Sequence, residues 1–312
     1  MIPDASQTTP RPLVSIVLPT NRRSPYLRAA VETVANQTYE MWELVIVDNG
    51  VEDDVWLTAA LDGIPRTRVI TTRPATLGRS RNVGFGESRG SLVVFHDDDD
   101  LWIPERLALQ VESLLRTPDA PACYVGGWHM DASGAPFEPA FPAVPATAAD
   151  MLRGAVPTPH ICGTLMIRRD AFVTVGGFAP ELPIMEDFEF MLRLLYEGTF
   201  SCVPGEALGY RRHDANMTST DRANVRARRS VMEQSLVRLA AAARLRGDSH
   251  NAELLEEHLT RFRGRAATEA GAAAVGVARR NGPGDAMAEL AWGARRAPVD
   301  AARGLGRSLR RR

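Results

Sequence analysis

Ser91-Leu92-Val93-Val94-Phe95-His96-Asp97-Asp98-Asp99-Asp100-Leu101-Trp102-Ile103-Pro104 sets a short apolar run against four successive aspartates. The apolar part, Ser91 to Phe95, reads as a buried strand. The acidic part begins where it stops. Like charges a few ångströms apart repel one another, so four adjacent carboxylates call for a positive partner, and hard oxygen ligands suit Mg²⁺ or Mn²⁺. In an extended stretch alternate side chains share a face, which would point Asp97 and Asp99 together and send Asp98 and Asp100 elsewhere. A bare acidic run is more often a solvated turn. The apolar stretches on both sides of this one argue for a site.

Upstream, Leu13 to Leu18 is a second buried strand that ends at Pro19. Tyr26 to Gln37 has helical spacing. Trp42 to Val47 is another strand and stops at the turn signal Asp48-Asn49-Gly50. Arg68 to Thr72 reads as a weaker strand, and Arg79 to Glu87 as a helix. This order predicts an α/β domain with a mostly parallel sheet. Ligands of such sheets bind beyond the carboxyl ends of the strands, which puts Thr20, Asp48 and Asp97 on one rim.

Downstream, Asp131 to Pro159 is rich in Pro and Ala and reads as a loop with short helices covering a site. Gly163 to Ile167 reads as a strand. Phe188 to Tyr196 is an amphipathic helix that starts at the acidic pair Glu186-Asp187. Phe200 to Val203 and Ala207 to Tyr210 read as two short strands. From about Asp221 the composition turns to Arg, Ala, Leu and Glu in helical periods, broken near Asn281-Gly282-Pro283-Gly284. The expected division is a flexible segment over 1–12, a catalytic α/β domain over 13–220 and a helical region over 221–312 with a basic end.

The chain has 312 residues and a formal net charge of −1, which gives no argument for a nucleic-acid partner. It contains no lysine, so all 37 basic residues are arginine, a bias that a GC-rich coding sequence explains more simply than function does. Cys123, Cys162 and Cys202 form no Cys-x-x-Cys pair and read as reduced, mostly buried thiols of a cytosolic protein. Met1 to Pro12 lacks the apolar core of a signal peptide. No apolar run is long enough to span a membrane.

Five motifs stand in sequence: Leu18-Pro19-Thr20-Asn21; Gln37-Thr38-Tyr39 with Glu43 to Gly50; Leu77 to Gly84; Phe95 to Pro104; and Arg168-Arg169 through Gly176-Gly177-Phe178 to Glu186-Asp187. In this order and spacing the chain resembles family 2 glycosyltransferases of the GT-A fold over roughly residues 13 to 215. The resemblance implies an inverting, metal-dependent enzyme using Mn²⁺ or Mg²⁺. Processive synthases of that family carry a Gln-x-x-Arg-Trp motif and membrane helices, neither of which appears in this sequence, so a non-processive enzyme is expected. It assigns nucleotide-sugar contacts to Pro19, Thr20, Asn21, Asp48, Arg81, Asp97 and Asp98. Asp99, helped by Asp97 and His213, would hold the metal. Asp187 would be the general base, with Glu186 its competitor. His96 and Asp48-Asn49-Gly50-Val51 depart from the family's commoner residues, which touches nucleotide contacts and not the reaction type.

Other features carry plainer readings. Gly84-x-Gly86 with Gly90 precedes a strand, whereas a dinucleotide fingerprint follows one. His129 and His160 fit loop or core positions better than an acceptor site. Trp128 fits a sugar platform and a core position equally well. The basic tail can lie on an anionic membrane surface or pack on the catalytic domain or a second subunit of a homodimer, the plainer reading. The expected activity is transfer of one sugar from a UDP-linked donor to the hydroxyl of a carbohydrate, lipid-linked or small-molecule acceptor, in glycan, envelope or natural-product biosynthesis. The expected location is the cytoplasm, with peripheral contact at the inner face of the membrane the alternative the tail leaves open. The rival readings are a GT-A-like sugar nucleotidyltransferase, which needs a glycine-rich basic loop that Pro19-Thr20-Asn21-Arg22-Arg23 lacks, and a non-catalytic sugar- or metal-binding module, which would have lost the carboxylates retained here.

Overall fold

The computed structural model describes residues 11–51, 53–157, 159, 162–214, 216, 222–281 and 283–310. Contacts divide the chain into two compact units, Met1–Ala148 with Thr158–Ser219 and Ala149–Pro157 with Thr220–Arg312.

The first unit is built on one sheet. Its strands are β1 (Val14–Thr20), β2 (Trp42–Asp48), β3 (Thr67–Thr71), β4 (Leu92–Phe95), β5 (Leu101–Trp102), β6 (Ala122–Met130), β7 (Pro136–Phe141), β8 (Leu165–Arg168) and β9 (Ser201–Arg211). The order across the sheet is β3-β2-β1-β4-β8-β6-β9-β5, with β7 paired to β6. The β3-β2-β1-β4 half is parallel, while β8 runs antiparallel to both β4 and β6. Strands β1, β2 and β4 are buried along their whole length. Their continuous Val, Ile and Leu content follows from being covered on both faces. The parallel register sets Thr20 opposite Asp48 and Val17 opposite Phe95, so the residues after β1, β2 and β4 emerge at one edge.

On one face, Ile16, Leu18, Leu44 and Ile46 pack against Leu27, Val31 and Val34 of α1 (Leu27–Ala35) and Leu107, Val111 and Leu114 of α4 (Arg106–Arg116). A short α2 (Asp54–Leu61) follows β2, capped by the Asp53 carboxylate accepting from the Trp56 N–H at 2.9 Å. Helix α3 (Leu77–Glu87) approaches β1 and β2 so closely that a Cβ on Gly84 would lie 2.3 Å from Val17 Cγ1 and 2.8 Å from Val47 Cγ2. Gly84 is a packing glycine between helix and sheet, in keeping with its rejection as part of a dinucleotide fingerprint.

Three local expectations are corrected. The two short strands expected around Pro204-Gly205 are one strand, β9. Parallel pairing to β6 carries it through that point, with register shifts at Val125/Gly126 and Gly126/Gly127 and a Gly205 φ of +106° absorbing the irregularity. The stretch 131–159 was expected to be loop with short helices, yet it contains β7. The Asp131 carboxylate accepts from the N–H groups of Ser133 and Ala135 and folds Asp131-Ala132-Ser133-Gly134 back into a hairpin. The third concerns the acidic run and belongs to the site below.

The second unit contains α8 (Arg222–Leu245), α9 (Ser249–Asn281), α10 (Pro283–Arg296) and α11 (Pro298–Arg310). The expected break near Asn281-Pro283 falls between α9 and α10. A Cβ on Gly271 would lie 2.1 Å from the Ala301 carbonyl oxygen, and one on Gly304 1.9 Å from that of Thr268, so α9 and α11 pack backbone against backbone. Buried Glu233 binds Arg263 and Arg296, and buried Glu289 binds Arg226 and Arg229. The guanidiniums of Arg229 and Arg296 lie 5.2 and 4.5 Å from the Trp292 ring centre. Buried His258 sits against Leu152 of α5 (Ala148–Leu152), its Nδ1 3.1 Å from the Leu152 carbonyl oxygen. Among the described residues no helix is long and apolar enough to cross a membrane.

Candidate functional site

The carboxyl edge of the parallel half-sheet is tied together by side chains. Thr20, the last residue of β1, donates its hydroxyl to Asp98 Oδ2 at 2.6 Å. Asp48, the last residue of β2, accepts the N–H groups of Gly50 and Val51 at 3.1 and 2.8 Å and so builds its own turn, which Gly50 enters at φ +99°. Asn49 clamps the loop after β3, accepting the Ala75 N–H at 2.9 Å and donating to the Ala75 carbonyl at 3.0 Å. Beside that loop lies a cavity of about 400 Å³ lined by Thr72, Arg73, Pro74, Ala75, Arg79 and Ser80. Pro19 lies within β1 opposite Val47, and Asn21 is exposed just past the strand.

The acidic run is not extended: Asp98 and Asp99 form a turn. The expected alternation, with Asp97 and Asp99 side by side, is therefore replaced by four separate directions. Asp97 accepts from Arg81 at 3.0 Å. Asp98 accepts from Thr20. Asp99 Oδ2 lies 3.2 Å from Arg22 Nη2 and 2.9 Å from His213 Nε2. Asp100 is fully buried, and its Oδ1 accepts the Arg211 N–H at 2.9 Å. Burial pushes the Asp98 carboxyl up to about 7. Burial first, then the neighbouring aspartate charges, raise Asp99 and Asp100 as well. Carboxylates this hard to ionise gain most from an added cation.

The fit of such a cation can be judged from the groups present. Among the described residues no three His, Cys, Asp or Glu side chains gather as a metal site. Asp99 and His213 do converge on one point and offer an oxygen and an imidazole nitrogen. A diphosphate could complete a shell around that pair. His213 is held there by the Tyr26 ring, 5.0 Å away, over which the Arg211 guanidinium lies at 4.5 Å.

Helix α3 joins this rim to a second acidic pair. Arg81 is buried and donates to Asp97 at 3.0 Å and to Glu186 Oε1 at 2.8 Å. Its neighbour Asn82 accepts the Phe178 N–H at 2.9 Å and donates to the Phe178 carbonyl at 2.8 Å, holding the Gly176-Gly177-Phe178 turn, whose glycines have φ of +78° and +69°. Within one turn of helix, Arg81 therefore serves the carboxylates, Asn82 the loop and Gly84 the sheet.

Glu186 and Asp187 form the first turn of α7 (Glu186–Leu194). Burial, then the Asp187 charge, raises Glu186 to about 7, with the Arg81 charge working against them. Asp187 is raised too, mainly by burial, and its Oδ1 accepts the Phe188 N–H at 2.7 Å. Carboxylates with raised pKa values make better proton acceptors than ordinary ones. The Cys162 main chain also hydrogen-bonds to Asp187, and the Cys162 thiol is fully buried beside Arg81.

Several residues resolve into packing. His96 is buried against Trp102, ring centres 4.1 Å apart, and burial followed by the Arg106 charge pulls it down to about 3. His129 packs among Phe137, Phe141 and Tyr210. Trp128 is half-buried over Gly209, where a Cβ would meet its ring at 2.7 Å. His160 lies outside the described residues. Sequence reasoning missed Arg22, Asn49, Arg106 and the main chain of Cys162. Arg22 carried one signal, its place two positions after Thr20.

Comparison with known proteins follows this geometry. A protein-family model described as glycosyl transferase family 2 matches residues 15–176. An uncharacterized glycosyltransferase of Haemophilus influenzae is 27% identical over 195 residues, 61% of this chain and 64% of that protein. The UDP-Glc:alpha-D-GlcNAc-diphosphoundecaprenol beta-1,3-glucosyltransferase WfgD of Escherichia coli is 29% identical over 105 residues, 33% of this chain and 42% of that protein. The chain thus spans less than two thirds of the length of these curated relatives. The structure of S. aureus TarS 1-349 in complex with UDP-GlcNAc superposes with a TM-score of 0.67 at 18% identity, over 90% of this chain and 81% of that one, and shares the GT-A-like fold.

Proposed function

Since the chain belongs to glycosyl transferase family 2, we propose that it moves a single sugar from a nucleotide-diphosphate donor, UDP-linked, to an acceptor hydroxyl with inversion at the anomeric carbon. One observation carries the reading. Arg81 joins Asp97 on the rim to Glu186 in the first turn of α7, so a leaving-group site and a proton-accepting pair lie on either side of one buried guanidinium.

The donor's nucleotide end lies along Pro19, Thr20, Asn21 and Asp48, next to the cavity lined by Arg73 and Arg79. Arg81, Asp97 and Asp98 border its sugar and phosphates. Asp99 and His213 would hold a divalent Mn²⁺ or Mg²⁺, while Asp97, expected to help them, is turned toward Arg81. Such an ion, when bound, offsets the charge of the departing diphosphate. Asp187 takes the acceptor's hydroxyl proton, with Glu186 as its competitor. The acceptor oxygen bonds to the anomeric carbon from the face opposite the diphosphate, whose bond to that carbon breaks, and the proton stays on the carboxylate.

The absence of a Gln-x-x-Arg-Trp motif supports single transfer over processive synthesis. A relative named for a diphosphoundecaprenol acceptor supports a lipid-linked or carbohydrate acceptor in glycan biosynthesis, and a neighbour that binds UDP-GlcNAc supports a UDP-linked donor. We assign catalysis to residues 13–220 and a cytoplasmic location to the whole. Peripheral contact of the arginine-rich end with an anionic membrane, or pairing of two chains through it, belongs to the same proposal, and no nucleic acid takes part. The test is a panel of nucleotide sugars with Mn²⁺ or Mg²⁺, read by thermal shift and by diphosphate release. One UDP-sugar should bind and be slowly hydrolysed. Silence from every donor with both metals would overturn the reading.

A further inference from the structure

Four guanidiniums face the acidic turn, and they differ in how firmly they are held. Buried Arg211 donates its Nε–H to the Asp99 carbonyl at 2.8 Å. Arg81 is 3% exposed and spans two carboxylates. Arg106 is fully buried, stacked 4.0 Å from the Trp102 ring centre and anchored to Gln110 and the Gly163 carbonyl. Arg22 sits on the connection after β1, with its side chain 35% exposed, 3.2 Å from Asp99 Oδ2 and 3.7 Å from Asp98 Oδ1. Those two carboxylates are each only 10% exposed. A half-exposed cation thus covers Asp99, the carboxylate that a divalent ion would need, together with its neighbour Asp98. It shares the oxygen of Asp99 that His213 also touches.

Two cations cannot use Asp99 Oδ2 at once without strong repulsion. An incoming ion must displace the guanidinium, and a guanidinium fork released beside a diphosphate finds an anion that matches its geometry.

We propose that Arg22 is a tethered counter-ion, which rests on Asp98 and Asp99 when no donor is bound and transfers to the donor's phosphates when a divalent ion takes Asp99. This rests on the donor reading above. It makes Arg22 a positioning residue that couples two binding events. The ion alone binds weakly because it competes with Arg22, and the nucleoside diphosphate strengthens ion binding by giving Arg22 another partner. By reciprocity the ion strengthens diphosphate binding by the same factor.

The experiment measures Mn²⁺ binding to the full chain by electron paramagnetic resonance, with and without UDP, in wild type, Arg22→Ala and Arg22→Lys. The Ala variant should bind Mn²⁺ alone several-fold more tightly than wild type. It should bind UDP in saturating Mn²⁺ about tenfold more weakly, so the coupling between the two ligands shrinks. The Lys variant should restore competition with Mn²⁺ but recover only part of the UDP affinity, since it lacks the fork. Equal Mn²⁺ affinity in Ala variant and wild type, with UDP binding intact in both, would overturn the counter-ion role and leave the donor reading standing. Failure of wild type to bind Mn²⁺ and UDP at all would remove both.

Discussion

At the residue scale the account turns on Asp187, Glu186 and the guanidinium between them and the rim. Asp187→Asn keeps the shape and removes the base. Transfer should fall by about 10²- to 10⁴-fold, the span typical of a lost general base, while UDP binding measured by calorimetry stays within about twofold. Unchanged transfer would remove Asp187 from that role in favour of Glu186. The pH profile follows from sign. Both pKa values are raised, Glu186 to about 7, so Glu186 loses its charge as pH falls through about 7, Asp187 loses its own above the ordinary aspartate range, and the rate should decline on the acid side. The Arg81 charge lowers the Glu186 pKa. Arg81→Met should therefore move the acid limb of the pH–rate curve to higher pH, and a limb that stayed in place would separate the rate from this pair.

At the element scale, helix α3 is the part that sets the site's span, and its seating depends on Gly84. Gly84→Ala places a methyl 2.3 Å from Val17 Cγ1, so the helix must lift from the sheet. Overpacking of this kind costs about 1–3 kcal/mol, measurable in urea unfolding. Arg81 would lift with it, so activity should drop further than the stability loss alone explains. The strands of this half-sheet were legible in the sequence because burial on both faces leaves them as unbroken apolar runs, as in Ile16-Val17-Leu18 and Val45-Ile46-Val47. The rim of Thr20, Asp48 and Asp97 followed from strand ends alone. Strands β7 and β9 were misread because their continuity comes from pairing with β6, a tertiary partner that local patterning around Pro204-Gly205 does not reveal. The acidic turn was misread for the same reason. Its partners Thr20, Arg22, Arg211 and His213 lie 77 to 114 residues away.

At the scale of the whole molecule, the helical unit has its own acid sensitivity. His258 is buried against Leu152, and burial pulls its pKa down to about 4. A depressed histidine contributes stability that is fully present above its unfolded value of about 6.5 and is lost as pH falls through 4. Melting of this unit should therefore fall between pH 6.5 and 4 by up to about 3 kcal/mol. His258→Gln, which cannot be charged, should flatten that slope in a series of calorimetric scans; an unchanged slope would assign the sensitivity elsewhere. The helical unit's arginine bias was visible in the sequence, but the buried Glu233 and Glu289 that organise those arginines were not.

The two carboxylate groups, one around a leaving diphosphate and one around an accepting base, make a stereochemical claim as well as a chemical one. Proton NMR of the full chain turning over an α-linked UDP-sugar with Mn²⁺, recorded before the free sugar equilibrates, tests it most directly. The account predicts UDP release with the β-anomer of the sugar appearing first. Release of the α-anomer first, or no turnover of any nucleotide sugar, would contradict it.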